Sequence, residues 1–324
     1  SLILYGFSLL YGLTGELIFS EISKILLVKN LSTSPAALLS AMLILAGIGF
    51  KISVVPFHSW APDTYEGSPL PVTAYLSVSS KATGFVALMI ILTKIYPESG
   101  SSWGIVLVII SGLTMFIGNL SALQQSNPVR LLAYSSIAQA GFILAPLAIS
   151  GISGDYEDGI YASVTYLIIY AFMNLGAFLV VNVLINTSGS NDIYEWGGLS
   201  KHQPLTAIFA TVFFFSLAGI PPLGGWFAKF VVFRSLLSSG EIFGITLAVI
   251  GAINAVIGLV FYARISKIIW MDAPSENITV TTKNTLLSPL KVVGFISLAI
   301  TFMAGIFPNL FSYLGNAASL FLNS

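Results

Sequence analysis

The sequence predicts an all-α fold, a polytopic bundle of membrane-spanning helices. Only 8% of the 324 residues are charged, where soluble domains carry roughly 25%, and the mean hydropathy is +0.92. Apolar runs near 20 residues, the length that crosses a hydrocarbon core of about 30 Å, follow one another along the chain. A water-soluble fold is excluded, because too few charged side chains are present to cover its surface.

The apolar runs predict a single transmembrane domain that takes up the whole chain. Proline marks the start of several runs, at Pro35, Pro69, Pro128 and Pro204, and Asp158 is a suitable N-cap for another. We expect nine spans, at roughly 1–15, 36–55, 70–93, 103–123, 128–149, 159–186, 205–237, 243–264 and 290–314. No charged segment or cleavage site precedes the first run, so we expect no signal peptide and a natural chain that begins upstream of Ser1.

The composition also excludes several classes of function. The net charge is zero, which leaves no basic surface for nucleic acid. With no cysteine and only two histidines, the chain lacks the ligands for iron–sulfur clusters or paired haems, so we expect no redox centre in it. The polar stretch at about 265–289 is too short for a nucleotide-binding domain, and no glycine-rich phosphate loop follows a strand pattern.

The distribution of Lys and Arg gives a weak prediction of orientation. If the first span starts on side A, that side collects six basic residues: Arg130, Lys201, Arg264, Lys267, Lys283 and Lys291. Side B collects four: Lys24, Lys29, Lys94 and Arg234. We therefore expect side A, with the loop at 56–69, to be cytoplasmic and the C-terminus to lie outside.

Three lysines fall inside apolar runs, where a charge is costly and usually functional. Lys51 lies about 22 Å into its span, with the helix breaker Pro56 close behind, although snorkelling to the far interface is an alternative. Lys81 lies near the bilayer midplane with apolar sequence on both sides, and Ser77 and Gly84 share its helix face. A structural lysine bonded to free carbonyls is the alternative there.

Lys229 follows a predicted helix break. A straight helix over 205–237 would be about 50 Å long, and the Pro221-Pro222 pair supplies the interruption. Broken helices in membranes occur where the freed backbone is buried or lines a hydrated cavity, as in transporter ion sites. The pairing of proline with lysine, near Lys51 and again near Lys229, suggests two related halves.

The remaining polar residues give weaker signals. His58 titrates near neutral pH when unperturbed, and either proton transfer or a local turn contact fits its Pro-rich loop. Gln139, Tyr170, Asn174 and Asn254 either bridge waters or, more commonly in such proteins, join helices by hydrogen bonds. Burying a charged ammonium in an apolar site costs free energy, and loss of its proton removes that cost. The three lysines together therefore indicate proton or cation movement.

Five segments carry a resemblance to a known family. They are GFKISVVPFHSWAPDTYEGSPLPV, SVSSKATGF, NPVRLLAYSSIAQAGF, YAFMNLGAF and SLAGIPPLGGWFAKF, which lie between residues 49 and 230, and the resemblance runs over most of the chain, to about residue 270. Together they resemble the subunit N (chain 2) family of antiporter-like membrane subunits of proton-pumping NADH:quinone oxidoreductase, respiratory complex I. The PDTYEGSP loop and the lysine at position 229 resemble subunit N more than its sister subunits.

The resemblance implies roles for individual residues. Lys51, Lys81 and Lys229 match the family's three intramembrane lysines, which are taken to carry protons along a central hydrated axis, and His58 matches the histidine of the family's PFH motif, a candidate further relay residue. The resemblance also implies an antiporter-like inverted-repeat architecture with two Pro/Gly-interrupted helices. The match begins at the sixth of about fourteen spans, so the first repeat is incomplete here, and the glutamate that pairs with the first lysine has no counterpart.

The resemblance implies a non-redox subunit of a proton-translocating enzyme, in the cell inner (plasma) membrane or an equivalent energy-transducing membrane. We expect no cofactor or metal in this chain, and NADH, FMN, iron–sulfur clusters and quinone in partner subunits. Its partners would be other membrane subunits, including sister antiporter-like subunits, and the lipid bilayer. The alternative is a subunit of a cation/proton (Na⁺/H⁺) antiporter without redox partners, since both functions need a proton path. A scaffold bundle is a third reading, weakened by the cost of three buried charges.

Overall fold

A computed structural model describes residues 1–32, 34–96, 100–273 and 288–323, and these residues form helices and turns without a strand. Lys283, expected on side A, and part of the polar stretch at 265–289 lie outside the described residues. The helices are α1 Leu2–Thr14, α2 Phe19–Val28, α3 Pro35–Ile52, α4 Trp60–Gly67, α5 Leu70–Tyr75, α6 Lys81–Lys94, α7 Gly100–Leu123, α8 Pro128–Ser153, α9 Tyr156–Ser188, α10 Leu199–His202, α11 Pro204–Ala218, α12 Gly224–Ser238, α13 Ile242–Met271, α14 Ser288–Ile306 and α15 Asn309–Asn323. The all-α prediction is confirmed.

Six of the described helices are long and apolar enough to cross a membrane, or up to eight if each of two bent pairs forms one span. α1 coincides with the first expected run, whereas α2 was not expected and the single span expected at 290–314 is bent. α1 and α2 meet at 54°, and α14 and α15 meet at 89°, where Pro308 cannot donate a backbone hydrogen bond. The expected span at 205–237 is divided into α11 and α12. The division into nine spans therefore stays a prediction.

α8 is the central helix of the bundle. Its most apolar 18-residue window is 94% buried, and it packs against α4, α7, α9, α12 and α13. Asn127 caps its first turn by accepting the amides of Val129 and Arg130, and Pro128 occupies the first helical position. The polar residues Ser135, Ser136 and Gln139 of this helix therefore face other helices.

Two ion-pair clusters join segments that the charge count places on the same side. On side A, one guanidinium nitrogen of Arg130 donates to Asp63 and to Glu66, each at 2.7 Å. On side B, Arg234 donates to Asp158 at 2.9 Å. Both contacts agree with the expected alternation of spans, because each connects segments far apart in sequence but predicted to emerge on one face.

Candidate functional site

Lys81 lies deep in the bundle, as predicted. It follows a π-helical turn, Leu76–Ser80, that interrupts the span between α5 and α6, and its side chain is 3% exposed. Its Nζ donates to the backbone oxygen of Ser136 at 2.9 Å and also to the Ser136 hydroxyl. No described carboxylate lies within ion-pair distance, so the ammonium is held by neutral oxygens of α8 alone.

The π-turn was not predicted, and it changes the surroundings of Lys81. Ser77, expected one α-helical turn before the lysine, accepts a hydrogen bond from Asn174 of α9 at 2.8 Å. Gly84 lies against α3, since a Cβ built there would approach Ile52 to 2.5 Å and Lys51 Cγ to 3.4 Å. The helix face that carries Lys81 therefore packs closely against α9 on one side and α3 on the other. Close packing of this face against a neighbouring helix is one of the two arrangements that the small residues predict.

Lys229 is also buried, at 7% exposure, beside the predicted break. α11 ends at Ala218, Gly219 adopts φ +95°, and α12 begins at Gly224. The Ala218 carbonyl, which has no partner further along the helix, accepts a hydrogen bond of 2.6 Å from Lys229 Nζ. The break therefore supplies the oxygen that holds the ammonium, and Nζ also lies 5.1 Å from the centre of the Phe142 ring of α8.

Both lysines contact one stretch of α8, residues 136–142, which we call the lysine path. Their contact residues, Ser136 and Phe142, are six positions apart, which a helix spaces by about 9 Å along its axis. Gln139 lies halfway between them. Its Nε2 donates to the Leu217 carbonyl at 3.2 Å, next to the acceptor of Lys229, and its Oε1 accepts from the Tyr166 hydroxyl.

Further buried polar groups surround this path. The Tyr262 hydroxyl pairs with Ser135, and the hydroxyls of Tyr65 and Tyr170 lie near Ser136 without a hydrogen bond of normal geometry. Asn174 Oδ1 is likewise buried without a partner. Buried polar atoms ordinarily find a partner, and ordered water fills the role where protein does not. The cluster beside Lys81 therefore has the composition of an internal hydration site.

The expected burial of Lys51 is not observed within this chain: its side chain is exposed on the surface at the last turn of α3, while its place inside the membrane stays a prediction. Its stem lies against Gly84 of α6, so Lys51 stands at the edge of the face by which α3 packs on α6, and its ammonium lies outside that contact. No described residue forms an ion pair with Lys51. The predicted end of the helix before Pro56 is present, with Ser53 at φ +59°.

His58 lies in the turn between α3 and α4 and is half-buried. Its Nδ1 is buried and lacks a hydrogen-bond partner among the described residues. Burial lowers the pKa of His58, and the nearby backbone of Pro56 partly opposes the shift. The imidazole is therefore neutral at neutral pH and has a free nitrogen. No contact joins it to any of the three lysines within the described part of the chain.

Three of the four polar residues that the sequence could not assign join helices. Gln139 contacts α9 and α11, Asn174 donates to Ser77, and Asn119 donates to Asn254 Oδ1 at 3.0 Å. The interhelical role is confirmed for these. Ser136, which holds Lys81, was missed, and the Ser-Ser pair within the otherwise apolar start of α8 was the only signal for it.

A charged clamp fixes α4 over the start of α8. Arg130 donates to both Asp63 and Glu66, and Asn127 donates to Glu66 at 2.9 Å. Tyr65, between the two carboxylates in sequence, is fully buried, and its backbone oxygen accepts from Thr73 at 3.0 Å. The clamp thus places Tyr65 next to the Lys81 site.

Replacing Arg130 by alanine is expected to loosen this clamp. Both carboxylates are more than one third exposed, so the loss in stability should be only about 1 kcal/mol. The measurement is the thermal midpoint of the purified protein at low and high salt. Because the pairs are screened by salt, the difference between wild type and variant should shrink as ionic strength rises. A difference independent of salt would contradict an electrostatic clamp.

Comparisons with known proteins agree with this architecture. Residues 1–257 match a family model described as NADH:quinone oxidoreductase/Mrp antiporter, transmembrane. A relative from Moorella thermoacetica, named NADH-quinone oxidoreductase subunit N, is 39% identical over 323 residues, which is 99% of this chain and 65% of the relative. The chain thus spans about two thirds of the length of that relative.

Two solved structures are similar over the whole chain. One is a chain of respiratory complex I from Thermus thermophilus, at 28% identity and a TM-score of 0.69, of which 65% is covered. The other is a chain of the Mrp complex from Dietzia sp. DQ12-45-1b, at a TM-score of 0.84, again with 65% covered. Its 23% identity shows a common fold and nothing further.

Proposed function

Because this chain belongs to the NADH:quinone oxidoreductase/Mrp antiporter transmembrane family, we propose that it is a proton-translocating membrane subunit of an NADH:quinone oxidoreductase. The observation that carries the proposal is the pair of buried lysines, Lys81 and Lys229, on one path along α8 without a carboxylate partner in the described residues. Two uncompensated buried ammoniums are too costly to be structural devices.

In the proposed relay, each lysine takes up and releases a proton at Nζ. A neutral Nζ at Lys229 would still donate to the Ala218 carbonyl, so loss of the proton leaves the hydrogen bond in place. Gln139 cannot ionise, and its role would be to orient the hydroxyl of Tyr166 and hold the end of α11 next to the lysine. Waters at the unpartnered hydroxyls of Tyr65 and Tyr170 would complete the path at Lys81.

Lys51 and His58 belong to the same proposal. Lys51 stands on the α3 surface with its stem against Gly84, the residue one turn beyond Lys81. Its ammonium would pass protons to this site from the surface of the chain. The neutral ring of His58, with a free nitrogen, is suited to accept a proton on side A.

The subunit would work without redox chemistry of its own. NADH, FMN, iron–sulfur clusters and quinone would be bound by partner subunits, and electron transfer there would drive the lysines. Sister antiporter-like subunits would be among the partners, in a cell inner membrane or an equivalent energy-transducing membrane. The name of the Moorella relative and the likeness to a chain of complex I support this assignment.

A cation/proton antiporter subunit without redox partners is the second candidate, favoured by the description of the matching family model, which names the Mrp antiporter together with NADH:quinone oxidoreductase. Solubilising the full-length protein from its native membrane in mild detergent separates the two. Co-migration with flavin and iron–sulfur subunits in a particle of several hundred kilodaltons is expected from the proposed function. A particle that holds only antiporter-like chains would replace it with the second candidate.

A further inference from the structure

Two adjoining polar cavities lie on side B, where α8 ends, α9 begins and α12 ends. Their volumes are about 150 Å³ and 220 Å³, and Asp155 and Asp158 line both. Serines of α8 and α12 line the first cavity, and Glu157 and Arg234 line the second. We call the two cavities together the acidic pocket. Neither is lined by Lys81 or Lys229, so the pocket is separate from the lysine path.

The acidic pocket carries an excess of negative charge. Three carboxylates, those of Asp155, Glu157 and Asp158, face a single guanidinium. Arg234 pairs with Asp158 at 2.9 Å and lies 5.3 Å from the centre of the Tyr161 ring, so two carboxylates have no cationic partner among the lining residues. The C-terminal turns of α8 and α12 add partial negative charge to the same place, and the N-terminus of α9 offsets part of it.

Buried hydroxyls in the first cavity are unused. Ser235 and Ser150 are only 5% and 3% exposed, yet neither hydroxyl makes a hydrogen bond to a described residue. Serine on a helix ordinarily donates to a carbonyl one turn back, as Ser238 does at 3.2 Å. Both serines line the first cavity, so their hydroxyl oxygens are available as ligands to a group bound there.

We propose that the acidic pocket binds a hydrated divalent cation of the Ca²⁺ class. Carboxylates and hydroxyls are the oxygen ligands that hard cations take, and a charge of +2 balances the two unpaired carboxylates. The first cavity has room for about five waters at roughly 30 Å³ each, so the ion would keep part of its hydration shell. Bound there, it would fasten the end of α12, the helix that carries Lys229, to α8 and α9.

The expected orientation of the chain in the membrane is consistent with a cation site of low affinity. Side B is the outer side by the Lys and Arg count, and calcium sites of extracellular modules have dissociation constants of about 10⁻⁴–10⁻³ M. The inference does not rest on the proposed function, because ion binding is read out without any measurement of proton transport.

Terbium luminescence of the purified complex tests the site. Tyr161 lines the second cavity, so excitation of tyrosine is expected to give Tb³⁺ emission that millimolar Ca²⁺ displaces. Asp155→Asn keeps the N-cap of α9 but removes a charge, and it should weaken this binding about tenfold, with Ser235→Ala weakening it several-fold. Asp272 is an exposed aspartate at the side A end of α13. The variant Asp272→Asn is the matched control and should leave the Tb³⁺ emission unchanged.

A thermal scan provides the second measurement. Ca²⁺ should raise the unfolding midpoint of the wild-type complex, because a ligand that binds only the folded state stabilises it. The Ca²⁺-dependent part of this shift should be smaller in Ser235→Ala, which leaves every charge and cap in place. Equal Ca²⁺-displaceable emission and equal shifts in wild type, Asp155→Asn and Ser235→Ala would overturn the proposal.

Discussion

Lys229→Ala is expected to reduce proton pumping and the coupled quinone reduction by roughly tenfold or more. The physical reason is the position of the ammonium: it is buried, held by the free Ala218 carbonyl at 2.6 Å, and has no described carboxylate to share a proton with. Lys229→Arg should also fail to restore full activity, because a guanidinium keeps its charge but does not release its proton. Pumping in reconstituted vesicles, measured with NADH oxidation, gives both numbers.

Gly219→Ala tests the same site without touching the lysine. Gly219 has φ +95°, and a Cβ there would lie 2.8 Å from Lys229 Cδ, so the side chain must move away from the Ala218 carbonyl. We expect reduced pumping from this variant, together with some loss of stability from the strained backbone. Lys267→Ala, an exposed lysine on α13, is the control and should pump normally. Full activity of Lys229→Arg would show that the site needs only a fixed charge.

The sequence alone predicts those features of the site that are determined within a single helix. The break before Lys229 follows from Pro221 and Pro222, and the burial of Lys81 follows from apolar sequence on both sides. Both were predicted, because proline geometry and hydropathy act within a span.

The partners of these lysines could not be predicted. Lys81 meets Ser136 across 55 residues of sequence, and Gln139 meets Leu217 across 78. Such contacts depend on the rotation of each helix about its axis. α8 is buried around its whole circumference and has no apolar stripe that would reveal that rotation.

Lys51 illustrates the same limit. Its depth in the span was calculated from the rise per residue, but depth says nothing about which neighbour the side chain faces. In the folded chain α3 presents Ile44, Ile48 and Ile52 to the interior, and Lys51, seven positions after Ile44, lies at the edge of that stripe, between the packed and the exposed face. A helix apolar at nearly every position gives the sequence no means of choosing between these faces.

Lys81→Met is expected to have an effect as large as that of Lys229→Ala. Methionine keeps most of the side-chain volume, so the bundle should still assemble, while the Nζ that donates to Ser136 is lost. Proton pumping should fall by roughly tenfold or more, because the ammonium beside the unpartnered hydroxyls of Tyr65 and Tyr170 is removed.

The controls for Lys81 separate the relay from packing. Lys94→Ala removes a lysine from the end of the same helix, where the side chain is only half-buried, and should pump at the wild-type level. Ser136→Ala should lower pumping only a few-fold, since the Ser136 backbone oxygen still accepts from the ammonium at 2.9 Å. An unchanged number of protons moved per NADH in an assembled Lys81→Met complex would remove Lys81 from the proton path, because a methionine side chain has no proton to give or to take.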